Sequence, residues 1–152
     1  MFLGQFQHNL DDKGRLMIPA RYRDLLAAGA YITQGFDQCL MVMTEAHFNE
    51  VYTLINGMNM ADPSARMLRR LILSNAYQVE VDKVGRILVP QNLREFLGIT
   101  TGGSGELTVA GQGEYFEVWT PAEWQKQMDN LHDVEANTQR FATLNLSKNS
   151  NS

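Results

Sequence analysis

One nine-residue pattern occurs twice in this chain, and this repeat constrains the fold more than any other feature. Residues 11–19 read DDKGRLMIP and residues 82–90 read DKVGRILVP, so the second copy follows 71 positions after the first. Both copies share an aspartate, two variable residues, Gly-Arg, a short apolar run and a proline. A pattern that returns at a fixed offset indicates one supersecondary unit used twice, so we expect both halves to fold alike.

The repeat continues beyond the proline. Residues 22–26 align with residues 93–97 at the same offset, and residues 35–48 match residues 111–124 at an offset of 76. The second half therefore carries five additional residues, which we place in the glycine-rich segment 101–105 because insertions belong in loops. Each half predicts a strand, a tight turn, a strand, a short helix, a hairpin of two further strands and a closing helix.

The repeated motif itself predicts a tight turn between two strands. Gly14 and Gly85 lie where such a turn requires a positive φ, and Asp11 and Asp82 are placed to accept hydrogen bonds from turn amides. The apolar runs after Gly-Arg are too short for helices and suit buried strands. The prolines that end these runs can occupy the first turn of a helix.

Length and composition indicate one soluble domain. A half of about 75 residues would have a marginal core on its own, so we expect the two halves to share one. The chain is 44% hydrophobic and 20% charged and has no apolar stretch approaching the roughly 20 residues of a membrane span. No secretory signal precedes the first strand, and the single cysteine, Cys39, cannot form an internal disulfide. These features predict a cytoplasmic protein in which Cys39 is a packed strand residue.

Signatures of enzymes are missing from the sequence. There is no phosphate-binding Gly-Lys-Ser/Thr motif and no Gly-x-Ser-x-Gly elbow. Asp11 and Asp12 form a carboxylate pair, but the second copy has Lys83 at the position of Asp12, so the pair is not repeated. We therefore expect no enzyme, no catalytic residue, no bound metal and no cofactor. The histidines, which share no metal-ligand spacing, are His8, His47 and His132.

The repeated arginines, Arg15 and Arg86, are not explained by the turn alone. Arginine beside the tip of a hairpin can contact phosphates or fork onto guanine O6 and N7, and β-ribbons are known to enter the major groove. The alternative is an Asp–Arg pair that braces the turn or forms a subunit contact, and the residues leave both interpretations open. The net charge of −4 argues mildly against nucleic acid, but the motif segments form a basic edge: Lys13, Arg15, Arg21, Arg23, Lys83, Arg86 and Arg94.

A helix is predicted between the halves, opened by Asp62-Pro63 and ending near Ser74. It has an apolar face and an arginine face. The arginine face is interpreted either as a solvated or intersubunit ion-pair surface or as a phosphate-contacting one. The apolar face comprises Met67, Leu68, Leu71 and Ile72, and the arginine face comprises Arg66, Arg69 and Arg70.

The motif followed by an apolar strand and a proline resembles the AbrB-type swapped-hairpin fold. Two such copies, opened by MFLG at residues 1–4 and joined by a helix carrying Arg69-Arg70-Leu71, closely resemble the MraZ family of bacterial transcriptional regulators over residues 1 to about 128. The resemblance implies an α+β protein with short helices, in which two pseudo-equivalent, double-split β-barrel-like halves share one core. The expected organisation is a first DNA-binding half at 5–52, a linker helix region at 53–76, a second DNA-binding half at 81–124 and a polar, disordered tail at 133–152.

The resemblance also implies a function. Members of the family are DNA-binding repressors, cytoplasmic and nucleoid-associated, that bind short repeated double-stranded sites upstream of the division and cell-wall gene cluster that begins with their own gene. They are similar to closed rings, so we expect a homo-oligomer and no membrane partner. The alternative is an oligomeric protein-interaction scaffold with the Asp–Arg turns as subunit contacts. Carried over by position, the DNA-binding residues are Lys13, Arg15, Lys83 and Arg86, and the turn residues are Asp11, Gly14, Asp82 and Gly85.

The two turns also differ at the position of Lys13. The second copy has Val84 where the first has Lys13, so we expect unequal contacts with DNA. A ring makes DNA binding reasonable for an acidic chain, because linking several weak sites raises their effective concentration and multiplies affinity by roughly 10² to 10⁴. Repeated readers on one face also predict repeated sites on the DNA.

Overall fold

The computed structural model describes residues 1–144, and its first compact unit, Met1–Pro121, contains both copies of the repeat. The strands are β1 (Gln5–Leu10), β2 (Arg15–Met17), β3 (Ala30–Gln34), β4 (Leu40–Thr44), β5 (Tyr77–Val79), β6 (Arg86–Leu88), β7 (Gly105–Gly111) and β8 (Tyr115–Trp119). The helices are α1 (Ala20–Arg23), α2 (Glu45–Asn56), α3 (Pro63–Leu73), α4 (Gln91–Phe96), α5 (Pro121–Leu131) and α6 (Val134–Arg140).

The eight strands form one antiparallel, barrel-like sheet in the order β5-β3-β4-β8-β7-β1-β2-β6. Strands of the two halves interleave in this order: β1 pairs with β7, β2 with β6 and β4 with β8. In the β2–β6 pair, Leu16 lies opposite Ile87, which is its own repeat equivalent. A pseudo-twofold axis therefore passes between these two residues, and the prediction of an α+β fold with two swapped halves and one core is confirmed.

The shared core lies on one face of this sheet and draws buried side chains from both halves, among them Leu16, Tyr22, Ile87 and Phe116. Successive side chains of a strand point to opposite sides, and in β4 both sides are buried. Its Leu40 and Val42 enter the shared core, whereas Met41 and Met43 enter a second cluster with α2 and α3.

Helices α2 and α3 begin where the sequence places caps. The Thr44 side chain accepts from the backbone N–H of His47, and the Asp62 side chain accepts from that of Ser64. In α3, Ile72 is 1% exposed, but Met67, which the helical wheel placed on the same apolar face, is 66% exposed. The face that packs is displaced from the predicted one, because Ala65 rather than Met67 is buried at the helix start.

The second unit begins at Ala122 and contains most of α5 and all of α6. Helix α6 lies within the segment for which the sequence predicted disorder. The reason is local hydrogen bonding: Asp133 accepts from the backbone N–H of Ala136, and the Asn137 side chain donates to the carbonyl of Leu131. The end of the predicted tail, residues 145–152, lies outside the described residues. In the described part of the chain, no helix is long and apolar enough to cross a membrane.

Candidate nucleic-acid interface

The first turn is organised by the Asp11 carboxylate. Its Oδ1 accepts from the backbone N–H groups of Lys13 at 3.0 Å and Arg15 at 2.9 Å, and its Oδ2 accepts from Arg15 Nε at 2.7 Å. The backbone N–H of Gly14 donates to the Asp11 carbonyl, and Gly14 has φ of +84°. A residue with a side chain rarely adopts this backbone conformation, so the turn requires glycine here.

The second turn repeats this arrangement. Oδ1 of Asp82 accepts from the backbone N–H groups of Val84 at 3.0 Å, Gly85 at 2.9 Å and Arg86 at 2.9 Å. Its Oδ2 accepts from Arg86 Nε at 3.0 Å, and Gly85 has φ of +98°. The two turns are therefore built by the same bonds between aspartate and arginine.

Both turn aspartates are held in the charged form. The backbone N–H of Arg15 lowers the pKa of Asp11, and the Arg15 guanidinium and the N–H of Lys13 lower it further, so that together they outweigh the opposing effect of desolvation. The backbone N–H of Arg86 lowers the pKa of Asp82, with the same opposing and supporting causes. Hydrogen bonds to a carboxylate favour its ionised form, so each turn carries an Asp⁻–Arg⁺ pair at neutral pH.

The fold brings the two turns together across the β2–β6 pair. The Gly14 carbonyl accepts from the backbone N–H of Val89 at 2.8 Å, and the Gly85 carbonyl accepts from that of Ile18 at 2.9 Å. Arg86 Nη1 also lies 3.7 Å from the Asp11 carboxylate. The sequence placed one turn in each half but could not show that they are neighbours, because their contact depends on strand pairing across 71 residues.

The predicted DNA-binding side chains differ in exposure. Lys13 and Lys83 are exposed, whereas the side chains of Arg15 and Arg86 are 35% and 25% exposed. Each arginine braces its own turn through Nε, which is the alternative interpretation that the sequence left open. The bond from Nε to the turn aspartate does not use the two terminal guanidinium nitrogens. These two nitrogens form one of the edges through which an arginine donates paired hydrogen bonds to phosphate or guanine.

Two arginines of α3 hold this helix to the preceding helix and loop. Arg69 donates from Nη1 to the Ile55 carbonyl and from Nη2 to the Asn56 side chain, both at 3.2 Å. Arg66 Nη1 donates to the Met60 carbonyl at 2.8 Å. These two side chains are therefore engaged at the α2–α3 connection, whereas Arg70 is exposed.

Cys39 lies immediately before β4 rather than in the predicted strand, but it is fully buried and burial raises the pKa of its thiol, so it is a packed residue rather than a reactive one. Within residues 1–144, no group of three or more His, Cys, Asp or Glu side chains is placed to hold a metal.

Sequence reasoning missed the role of two further arginines. Arg23 and Arg94 were recognised only as part of the basic edge, but each lies against the glycine of the opposite turn. The 71-residue offset maps Arg23 onto Arg94, and this was the available signal. Nothing in the sequence pattern shows that the contact crosses from one half to the other.

The interleaved sheet and its paired Asp–Arg turns define a duplicated AbrB-type swapped-hairpin protein. The family model "MraZ protein, putative antitoxin-like" matches residues 1–71 and again residues 72–145. The chain therefore belongs to the MraZ family.

Relatives named "Transcriptional regulator MraZ" cover most of the chain. The protein of Roseiflexus castenholzii is 41% identical over 142 residues, covering 93% of this chain and 94% of the relative. That of Herpetosiphon aurantiacus is 41% identical over 133 residues, covering 88% and 90%. A solution structure of PHS018 from Pyrococcus horikoshii is matched with 15% identity and a TM-score of 0.32, covering 80% of this chain and 97% of that one, a likeness too low to inform the fold.

Proposed function

We propose that the protein is a sequence-specific DNA-binding transcriptional regulator, a repressor that acts on short repeated sites upstream of its own division and cell-wall gene cluster. Its relatives are named transcriptional regulators rather than enzymes. The observation that carries the proposal is the pairing of the two Asp-braced arginines, Arg15 and Arg86, on neighbouring turns.

Bracing prepares each arginine for recognition. The bond from Nε to the turn aspartate fixes the plane of the guanidinium before DNA arrives, so less side-chain freedom is lost on binding. The terminal nitrogens of Arg15 and Arg86 contact guanine or phosphate in this proposal. The exposed Lys13 and Lys83 at the turn tips contact phosphate as point charges.

Assembly completes the proposal. Within residues 1–144, one chain of this acidic protein presents two small basic turns, so we expect its affinity for DNA to be weak. A ring-shaped homo-oligomer, cytoplasmic and nucleoid-associated, repeats these turns at even spacing and multiplies their affinity on repeated sites. The avidity of a ring thereby replaces the positive net charge that the chain lacks.

A binding titration tests the proposal. The assembled protein is titrated against duplex DNA from upstream of its own gene and against a scrambled duplex, each at several salt concentrations. We expect specific binding that weakens with salt and is lost in the double variant R15A/R86A. The double variant R66A/R70A removes the same charge from α3 and is the matched control, which should bind normally.

The scaffold alternative gives a different result. If R15A/R86A dissociates the oligomer while its DNA affinity per assembled ring is unchanged, the turns are subunit contacts and the DNA assignment is wrong. Sedimentation velocity on both double variants makes this distinction. A wild-type protein that is a stable monomer at micromolar concentration contradicts the ring.

A further inference from the structure

Two arginines that the proposed DNA contacts do not use lie directly over the turn glycines. A Cβ atom built on Gly14 would be 2.6 Å from Cζ and Nη1 of Arg94. One built on Gly85 would be 2.5 Å from Nε and 2.8 Å from Nη1 of Arg23. Each glycine thus has two functions, since it supplies the positive φ of the turn and leaves room for a guanidinium from the other half of the chain.

Hydrogen bonds connect Arg23 to the turn it covers. Arg23 Nε donates to the Ile18 carbonyl at 2.9 Å, and the backbone N–H of Ile18 donates to the Gly85 carbonyl at 2.9 Å. Arg23 therefore holds the second turn by packing and through Ile18. Its Nη2 also lies 3.3 Å from the Met17 sulfur, which anchors the guanidinium further.

Arg94 covers the first turn differently. The corresponding backbone bond is present, because the N–H of Val89 donates to the Gly14 carbonyl at 2.8 Å. Arg94 Nε, however, is buried without a hydrogen-bond partner among the described residues. A buried donor without a partner costs free energy of folding. Because Arg94 lacks the Nε bond that anchors Arg23, its position is set by its packing on Gly14.

We propose that Arg23 and Arg94 are crosswise positioning residues: each fixes the turn of the opposite half, so that Arg15 and Arg86 are presented as one rigid pair. Arg94 of α4 positions the turn of Arg15, and Arg23 of α1 positions the turn of Arg86. The part of this inference that concerns DNA rests on the proposed function. The geometric part, that each turn is held by the other half, does not.

Hydrogen exchange tests the geometric part without DNA. The variants R94M and R23M keep an unbranched side chain but remove the planar charged group. Measured by mass spectrometry on the assembled protein, R94M should speed amide exchange in peptides covering residues 11–15 more than in those covering 82–86. R23M should do the reverse. Faster exchange in the turn of the same half, equal changes in both turns or no change in either would overturn the proposal.

Lysine variants keep the test valid if a methionine variant does not assemble. R94K and R23K retain length and charge but cannot lay a flat guanidinium on the glycine. We expect the same crossed exchange pattern in these variants, with a smaller amplitude. A lysine variant with exchange identical to the wild type in both turns would show that the guanidinium plane has no positioning role.

Double-variant cycles test the effect on DNA binding. In the double variant R94M/R15A, the DNA affinity should differ by about twofold or more from the value expected if the two single effects simply added, whereas in R94M/R86A the effects should add. For R23M we expect the reverse: non-additive with R86A and additive with R15A. Coupling within the same half would overturn the crosswise assignment. If the wild-type protein binds no DNA but the exchange pattern is crossed, the proposed function fails and the crosswise positioning stands.

Discussion

Arg86 Nη1 lies 3.7 Å from Asp11 Oδ2, so an ion pair joins the two copies of the motif. Within residues 1–144 no reciprocal ion pair joins Arg15 to Asp82, although the turns are otherwise alike. The Asp11 carboxylate faces two guanidinium groups and the Asp82 carboxylate faces one. The two turns, whose backbones are equivalent, therefore differ in their ion pairs.

Lysine content should set the salt dependence of DNA binding. Lys13 is exposed on the first turn, and the equivalent position of the second turn is Val84, which is 57% exposed. We expect K13A to reduce the slope of log affinity against log salt by about one for each engaged subunit, and V84K to increase it by a similar amount. A titration of both variants over a salt series measures this. If the wild type, K13A and V84K have equal salt slopes, Lys13 does not contact phosphate.

The turn aspartates should stabilise the fold above a pH set by their pKa. The pKa of Asp11 is lowered from 3.8 in the folded chain, so its stabilising contribution is present above about pH 3.8 and is lost as the pH falls through the folded pKa. We expect D11N to lower the urea midpoint at pH 7 and to approach the wild type under strongly acidic conditions. Urea titrations at fixed protomer concentration check this. The exposed neighbour variant D12N is the control and should leave the pH 7 midpoint unchanged.

Glu117 should have the opposite effect. Burial raises its pKa above 4.5, so ionisation of this carboxyl lowers stability increasingly as the pH rises above 4.5, and the full loss is reached above the folded pKa. Its Oε1 accepts from Gln112 and Trp119, and a glutamine oxygen can accept both bonds. We expect E117Q to raise the thermal midpoint at pH 7 and to match the wild type at pH 4. A lower midpoint at pH 7, with the exposed variant E114Q unchanged, would contradict this.

The Tyr22 hydroxyl should tie the amino-terminal segment to the core. It donates to the Leu3 carbonyl at 2.7 Å, while its ring packs against Phe2, Phe6 and Phe116. Y22F keeps the ring and removes one hydrogen bond, so we expect a loss of about 0.5 to 1.5 kcal/mol in the free energy of unfolding. Urea denaturation measures it. The variant Y77F, in an exposed tyrosine of β5, serves for comparison and should change stability by less.

Neither half should fold alone. β1 pairs with β7 along its whole length, and β2 pairs with β6. Residues 1–60 contain neither β6 nor β7, so these pairings cannot form in the fragment. We expect this fragment to show no cooperative unfolding transition by circular dichroism. Mixing it with residues 61–152 should restore one. A stable, cooperative, monomeric 1–60 fragment would contradict the shared core.

The sequence predicted the elements well because their signals are local. Glycine with positive φ, aspartate bonding to turn amides and a proline-initiated helix all depend on neighbours within a few residues, and the motif carries each of them twice. The short helix predicted after Pro19 ends already at Arg23, and Leu25, which follows it, is 39% exposed. Helix ends are set by competing tertiary contacts that periodicity does not report.

The candidate site was predicted only in part, since its decisive contacts are not local. Arg15 and Asp11 are four residues apart and could be paired from spacing. The ion pair between Arg86 and Asp11 and the packing of Arg94 on Gly14 depend on how β2 and β6 meet. Single-sequence patterns contain the members of these pairs but not the pairing itself.

The pairing of β1 with β7 has a consequence for synthesis of the chain. Gln5 pairs with Ala110, so more than a hundred further residues must be synthesised before β1, the first strand made, can pair with β7. During that interval the apolar inner residues of the first half have no covering strands and are open to chaperones or to a second nascent chain. Messages cut short before the last hairpin yield a product that cannot close its sheet. The sheet can therefore close only after the ribosome has made β7 and β8.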